Sequence, residues 1–229
     1  MKKFARALAT TLLAALPFAA QADTVSYDSY DNGWYGQNGL HTPSNVNTFT
    51  GVGSSYHTRS FYAFDLGNLD NVTVTGASVF FRPNGTYRVN GTTGLRLYNV
   101  ITPASAVLGG SGGAAAFNDF GSGVVLGGAN VGAGYGSSMP GITMSLTPNA
   151  VTLINQAIEA SESRFLFGTR IMNTLNTPGD GLWYGSNGTG AARLTLTYEV
   201  NAPAIPVPAS VPLLLSGLAA LGILRRRRG

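Results

Sequence analysis

The stretch RSFYAFDL at residues 59–66, followed by VTVTGASVFF at residues 72–81, decides the fold. Both stretches are rich in the aromatic and β-branched residues that are typical of strands. Turn residues end them, Gly-Asn at 67–68 and Pro-Asn-Gly at 83–85. Further strands are predicted where apolar and polar residues alternate or where aromatic residues cluster, at 95–100, 142–146, 164–168 and 193–200. A period of two indicates antiparallel sheets with one buried face.

One helix interrupts this series of strands. Thr147 is an N-cap residue, Pro148 suits the first helical position, and apolar residues then recur at helical spacing, which predicts a helix over 148–160. Residues 108–141 contain 12 glycines and are predicted to form one long loop with at most a short strand at 123–126. The chain is therefore expected to be all-β, a β-sandwich of jelly-roll type with one short helix and a long Gly-rich loop.

The charge of the chain is concentrated at its two ends. The 229 residues carry a net charge of +4, yet Lys2, Lys3, Arg6 and Arg225–Arg228 supply seven of the 14 basic residues. The body at 23–200 retains seven arginines against ten acidic residues, a net charge of −3, and its arginines are scattered singly along the sequence. Without a basic stripe, nucleic acid is not expected as a partner. The absence of cysteine excludes disulfides and thiol catalysis.

The N-terminal 22 residues have the layout of a secretory signal peptide. Basic residues come first, a mostly apolar segment follows at 7–20, and Ala20-Gln21-Ala22 is a small-x-small cleavage site. Cleavage is predicted between Ala22 and Asp23. The chain is expected to be exported through the inner membrane.

The C-terminal segment has three parts in a fixed order. Ile205-Pro206-Val207-Pro208-Ala209 precedes an apolar run at 211–224, and Arg225, Arg226, Arg227 and Arg228 follow it. As a helix the apolar run would be about 21 Å long, short for a hydrocarbon core of about 30 Å. The prolines keep the preceding motif extended, and the arginines hold their end in the cytoplasm. A processed tail fits these features better than a permanent anchor, which remains the alternative.

This tail resembles the PEP-CTERM class of bacterial sorting signals, in its VPLPA-type variant. The motif departs from that variant by isoleucine for valine at Ile205 and valine for leucine at Val207, and the glutamate of the PEP-type motif is absent. The resemblance implies recognition by an exosortase-type membrane enzyme, cleavage near the motif, and release or transfer to the cell surface. The predicted organisation is a signal peptide at 1–22, a β-sandwich body at 23–200, a linker at 201–206 and a sorting signal at 205–229. In the precursor, hydrophobic helices are expected at both ends, and the C-terminal one tethers it to the membrane before processing.

The body resembles secreted jelly-roll modules of the carbohydrate-binding type. The likeness lies in an arginine before an aromatic strand at 59–66, a Leu-Thr-Pro turn at 146–148 into the short helix at 148–160, and a closing Leu-x-Leu-x-Tyr strand at 194–198. It implies the jelly-roll fold and suggests a polysaccharide, such as an exopolysaccharide, as ligand. Two Trp-Tyr-Gly segments offer candidate ligand aromatics, namely Trp34, Tyr35, Trp183 and Tyr184. They are equally suited to a core, and within a strand one ring of each pair is expected to face inwards.

No catalytic constellation is identified. His41 and His57 lie in a Gly/Ser/Thr-rich stretch that is predicted to be solvated loop, and there is no G-x-S-x-G motif. Glu159 and Glu162 are expected to be solvated, and Asp65 is expected to pair with an arginine or with a turn amide. No catalytic residues are therefore predicted.

Calcium is the one cofactor that the sequence suggests. Asp28 and Asp31, with Asn32, could supply oxygen ligands to Ca²⁺, but the run lacks EF-hand spacing and an ordinary Asx turn explains it equally. Jelly-roll modules of the kind that this chain resembles often carry a structural calcium.

Three functions remain open at this point. The chain is a non-catalytic surface or matrix protein that binds polysaccharide, a structural or adhesive protein that binds other proteins, or a secreted glycan-active enzyme. The missing catalytic constellation favours the first two.

Overall fold

A computed structural model describes residues 22–53, 55–67, 69–82, 87–89, 92–132, 134–136, 141–172, 180–182 and 190–201. The helices are α1 (Ala104–Leu108), α2 (Gly113–Asp119) and α3 (Pro148–Glu159). The strands are β1 (Asp23–Asp28), β2 (Asp31–Gly36), β3 (Thr50–Val52), β4 (His57–Asp65), β5 (Val72–Phe81), β6 (Tyr87–Val89), β7 (Thr93–Asn99), β8 (Val125–Val131), β9 (Gly134–Gly136), β10 (Ile142–Ser145), β11 (Arg164–Ile171), β12 (Gly181–Leu182) and β13 (Ala192–Val200).

Eight of these strands form nested antiparallel pairs, the pattern of a jelly roll. The outermost pair is β1 with β13, and inside it β4 pairs with β11, β5 with β10, and β7 with β8. The small sheet has the order β1-β13-β5-β10, and the large sheet runs β8-β7-β11-β4 before continuing through β3, β12, β6 and β9, with β2 also paired to β4. The predicted all-β sandwich is confirmed, and its strand order is that of a jelly roll.

The main core lies between the two sheets. Strand β4 contributes Tyr62 and Phe64, and β11 contributes Phe167, all fully buried. The ring centroids of Phe64 and Phe167 lie 5.3 Å apart in a stacked arrangement, and Phe81 of β5 meets Tyr62 edge-on at 5.1 Å. Because strand side chains alternate between faces, residues 61 and 63 of β4 face away from this core.

Helix α3 covers an edge of the small sheet. Thr147 caps it by accepting from the amide of Ala150, Pro148 opens it, and Ile154 is fully buried in the main core. The side-chain amide of Asn155 accepts from the backbone nitrogen of Val74 at 2.8 Å and donates to its carbonyl at 2.9 Å. These two bonds occupy backbone groups that an unpaired strand edge would leave free.

A second core lies on the outer face of the large sheet, beneath α1 and α2. It contains Tyr35, Phe61, Ala63, Val107, Ala116, Phe117, Phe120 and Leu166. The predictions of a single helix and of a long loop at 108–141 are therefore wrong in detail. This segment contains the end of α1, all of α2, and strands β8 and β9. A glycine of the sheet lets this segment pack closely, since a Cβ on Gly168 of β11 would lie 2.3 Å from the Cα of Phe120.

Tyr35 ties the two outer helices to the sheet. Its hydroxyl donates to the carbonyl of Val107 at 2.8 Å, and the amide of Gly112 donates back to it at 3.4 Å. The ring is fully buried and contacts Phe120 edge-on at 5.5 Å. One side chain of β2 thus fixes the end of α1 and the start of α2.

Candidate functional site

A cleft of about 330 Å³ opens where the large sheet divides. Strand β4 pairs with β11 over residues 61–65, but at Thr58 its partner on the sheet path is Gly51 of β3. The cleft lies between β3 and the end of β11 and is walled on the helical side by α2. It is lined by Gln37, Gly51, Val52, His57, Thr58, Arg59, Phe117, Asn118, Arg170, Ile171 and Met172.

Three hydroxyl groups lie beneath the cleft, where β3 and β11 diverge from each other beside β4. The hydroxyl of Thr50 on β3 donates to that of Ser60 on β4 at 3.0 Å and lies 2.6 Å from that of Thr169 on β11. All three residues are buried. Buried polar groups cost stability unless they are hydrogen-bonded, so these mutual bonds allow three strands to diverge without exposing the core.

Three arginines lie on adjacent strands of the outer face. Arg59 is on β4, Arg170 on β11 and Arg96 on β7, and Arg170 stands directly opposite Arg96 in the β11–β7 register. All three are half-buried. These arginines are far apart in the sequence and were described there as scattered. The fold corrects that description, because pairing of distant strands brings them together in a basic row.

Arg59 is held in place by α2. Its guanidinium carbon lies 4.2 Å above the ring centroid of Phe117, and its Nη1 donates to the carbonyls of Phe117 at 2.8 Å and Asn118 at 3.2 Å. A Cβ on Gly121 would lie 2.5 Å from the guanidinium carbon, so only glycine allows this approach. Burial and, next, the neighbouring Arg170 lower the pKa of Arg59 to about 10, which leaves it cationic at neutral pH.

Arg170, like Arg59, is hydrogen-bonded to a backbone carbonyl near the end of α2. Its Nη1 donates to the carbonyl of Gly121 at 3.1 Å. Helix C-termini favour cations, so the end of α2 provides a structural reason for both arginines. Within the described residues, these hydrogen bonds use only Nη1 of each guanidinium, and a guanidinium has five N–H donors. Donors of both groups therefore remain for a ligand in the cleft.

Asp28 and Asp119 are engaged away from the cleft. Asp28 accepts from Arg193 and Arg82, each at 2.8 Å. Asp119 of α2 accepts from the amides of Ile101 at 2.9 Å and Thr102 at 2.7 Å. In the part of the chain that the structure describes, no acidic residue lines the cleft and none forms an ion pair with its arginines.

The rim of the cleft carries further hydrogen-bonding groups. Gln37 follows β2, Asn118 is near the end of α2, and His57 begins β4, and all three are exposed. Asn118 uses its backbone carbonyl for Arg59, so its side chain is not needed for that contact. The arrangement combines cations at the base with amide groups at the mouth.

The two aromatic residues predicted as ligand contacts on β2 have different positions. As expected for a strand, the rings of Trp34 and Tyr35 face opposite sides. Tyr35 is fully buried and its hydroxyl is bonded to α1, so its assignment as a ligand aromatic is wrong. Trp34 is half-buried with its ring 6.4 Å from that of Tyr56, and it stays a candidate. Trp183 and Tyr184 lie outside the described residues.

The two carboxylates suggested for calcium have separate surroundings. Asp28 ends β1, and the adjacent guanidinium of Arg193 contributes most to holding its pKa near 2. Asp31 begins β2, and burial raises its pKa. Asn32 donates to the carbonyl of Val46 and accepts from Ser29. Asp28 thus forms ion pairs with two arginines. Calcium at Asp28 and Asp31 stays a prediction, and this arrangement does not favour it.

The remaining acidic residues and histidines that the sequence analysis considered agree with expectation in part. Glu159 and Glu162 are exposed as expected, and Asp65 accepts from the turn amide of Gly67 at 2.9 Å. His57 is exposed, although it begins a strand rather than lying in a loop. His41 lies in a loop as expected, but the expectation that it is solvated is wrong, because its ring stacks on Tyr35 at 4.5 Å, its Nδ1 donates to the carbonyl of Trp34 at 2.8 Å, and burial lowers its pKa.

Most of the terminal signals lie outside the described residues. This applies to the motif at 205–209, the apolar run and Arg225–Arg228, and to the signal peptide up to Gln21. Ala22 is exposed, and β1 begins at Asp23. Among the residues that are described, no helix is long and apolar enough to cross a membrane.

No family model matches the chain, and no curated protein matches it at a significant level.

Proposed function

We propose that the chain is an exported, exosortase-sorted protein of the cell surface or extracellular matrix whose non-catalytic β-sandwich binds polysaccharide. The cleft on the outer face of the large sheet is the observation that carries the binding part of the proposal. It is open to solvent, lies beside a rigid sheet, and combines Arg59 and Arg170 with the exposed amides of Gln37 and Asn118. Sugars offer many hydroxyl groups, and convergent donors and acceptors of this kind suit them.

The non-catalytic part rests on the chemistry of the lining. Glycoside hydrolysis ordinarily needs two carboxyl groups on either side of the bond that is broken. Among the described residues, no carboxyl group lines the cleft. A cleft of this composition can bind a glycan, and its described lining residues include no pair of carboxyl groups with which to cleave one.

The sorting part rests on the two terminal segments. A signal peptide at 1–22 directs export, and the motif at 205–209, the apolar run and the arginine cluster form the substrate of an exosortase-type enzyme. The precursor is tethered to the membrane until this enzyme acts at the motif, and the body then reaches the surface or the medium.

A panel of neutral and acidic polysaccharides, presented to the full chain in mild detergent, tests the binding proposal. We expect retention on at least one glycan with no release of reducing ends. Gln37→Ala with Asn118→Ala should weaken retention. The matched control is Thr143→Ala with Ser145→Ala, two exposed hydroxyls on the outer face of the small sheet. Retention on no glycan favours the protein-binding alternative, and glycan cleavage contradicts the non-catalytic assignment.

The intact mass of the native product tests the sorting proposal. Loss of the residues beyond the motif is expected, and Pro206→Ala with Pro208→Ala should leave the tail attached and the protein in the membrane. A native product that still contains Arg225–Arg228 would make the tail a permanent anchor.

A further inference from the structure

We infer that Arg59 and Arg170 form a subsite for the carboxylate groups of an acidic polysaccharide, one with a uronic acid in its repeat. This inference rests on the proposed polysaccharide-binding function and specifies its ligand. Guanidinium groups bind carboxylates through paired, charge-assisted hydrogen bonds, which are stronger than neutral ones.

The cleft is positively charged, whereas the body as a whole is negatively charged. The body carries three more acidic than basic residues, yet Arg59 and Arg170 both line the same cleft, close enough for Arg170 to lower the pKa of Arg59. Like charges in proximity disfavour each other. Their only hydrogen-bond partners among the described residues are the carbonyls at the end of α2, which carry no formal charge. An incoming anion would relieve this repulsion.

The subsite is already organised for binding. Phe117 supports one face of the Arg59 guanidinium, and two carbonyls fix its Nη1. Arg170 is fixed through the carbonyl of Gly121. A side chain that is held before binding loses less conformational entropy when the ligand arrives.

The arrangement favours a polymer over a small anion. Arg96 continues the row on the next strand, opposite Arg170, and neighbouring strands lie about 4.8 Å apart. Cations repeated along a surface suit a chain with repeated carboxylates. The exposed amides of Gln37 and Asn118 at the rim suit sugar hydroxyls, which an acidic polypeptide does not offer.

Oligogalacturonate and its methyl ester provide a matched pair of probes, because they share one sugar backbone and differ in the charge of the carboxyl group. Affinities are measured by titration calorimetry with the full chain in mild detergent. The variant is Arg170→Gln. The control is Arg164→Gln, which removes an exposed arginine at the other end of the same strand. Arg170→Lys keeps the charge and removes the planar pair of donors.

We expect the acid to bind and the ester to bind at least about tenfold more weakly, the loss typical of a charge-assisted hydrogen bond. Arg170→Gln should lower the affinity for the acid by a similar factor, Arg170→Lys by less, and Arg164→Gln not at all. Binding should also weaken as salt is added. The comparison of acid with ester uses the unmodified chain, so it stands even where a variant fails to fold.

Equal affinity for acid and ester overturns the inference, as does an Arg170→Gln variant that binds the acid like the control. Binding to neutral glycans alone overturns the inference and leaves the proposed function intact. Binding to no glycan overturns both. Tighter binding to oligoglutamate of equal charge assigns the subsite to acidic polypeptides instead.

Discussion

Replacing Tyr35 by phenylalanine should loosen the outer helices without directly changing the cleft lined by Arg59 and Arg170. The change removes one buried hydroxyl, which donates to Val107 at 2.8 Å and accepts from Gly112 at 3.4 Å. A hydrogen bond contributes about 1 kcal/mol, and a buried partner left unpaired costs about 1–3 kcal/mol. The Val107 carbonyl also accepts from Gly110 at 3.3 Å, so it keeps a partner. We therefore expect a loss of about 1–2 kcal/mol, or a Tm lower by about 2–8 °C.

Tyr98→Phe is the matched control for this measurement. Tyr98 is a buried tyrosine on the outer face of the same sheet, but the one hydrogen bond of its hydroxyl to a described residue is to the sulfur of Met172, at 3.4 Å. Thioether sulfur is a weak acceptor, so the expected loss is below about 0.5 kcal/mol. Urea unfolding gives the free energies, and hydrogen exchange of α1 and α2 amides shows whether the helices open first. A loss for Tyr35→Phe that is no larger than that for Tyr98→Phe would refute the role assigned to the Tyr35 hydroxyl.

Three further predictions concern packing and pH. Gly168→Ala should cost about 1–3 kcal/mol in urea unfolding, because its Cβ meets the backbone of Phe120; Gly132→Ala, with nothing within 4 Å, should be close to neutral. The lowered pKa of His41 means that the unfolded chain takes up the proton first. Stability should therefore fall between about pH 7 and 5.5, and this slope, measured by thermal unfolding, should shrink in His41→Phe. Asp28 has a depressed pKa of about 2 against 3.8, so its contribution is present above pH 3.8 and lost as the pH falls through 2. Because Asp28 is exposed, Asp28→Asn should cost at most about 1 kcal/mol near neutral pH, and the difference from wild type should vanish in unfolding at the acid end.

Local signals explain what the sequence predicted well. The strand at Val72–Phe81 has its predicted bounds, and Thr147 and Pro148 begin α3 as expected. These features depend on a few neighbouring residues, through side-chain alternation and capping. The helices α1 and α2 were missed because glycines surround them. Three consecutive alanines at 114–116, strong helix formers, were the available signal for α2.

The candidate site depended on information that local patterns do not contain. Arg59 and Arg170 become neighbours only because β4 pairs with β11, and strand pairing between distant segments is not visible in either strand alone. Alternation did predict that Trp34 and Tyr35 face opposite sides. It could not tell which ring would be buried, because the second core exists only when α1 and α2 cover the sheet.

The nested pairing of the strands also determines which strand would bear a mechanical pull on the body. Strand β13 leads out of the body at Val200 and pairs there with Val72, the start of β5. The short connection at 66–71 brings the end of β4 to this same end of the sandwich, whereas the cleft lies at the start of β4, at the opposite end. A pull between a bound polymer and the C-terminal segment therefore runs along β13. Its hydrogen bonds to β1 and β5 lie perpendicular to that pull, so they resist it together by shear and do not separate one after another.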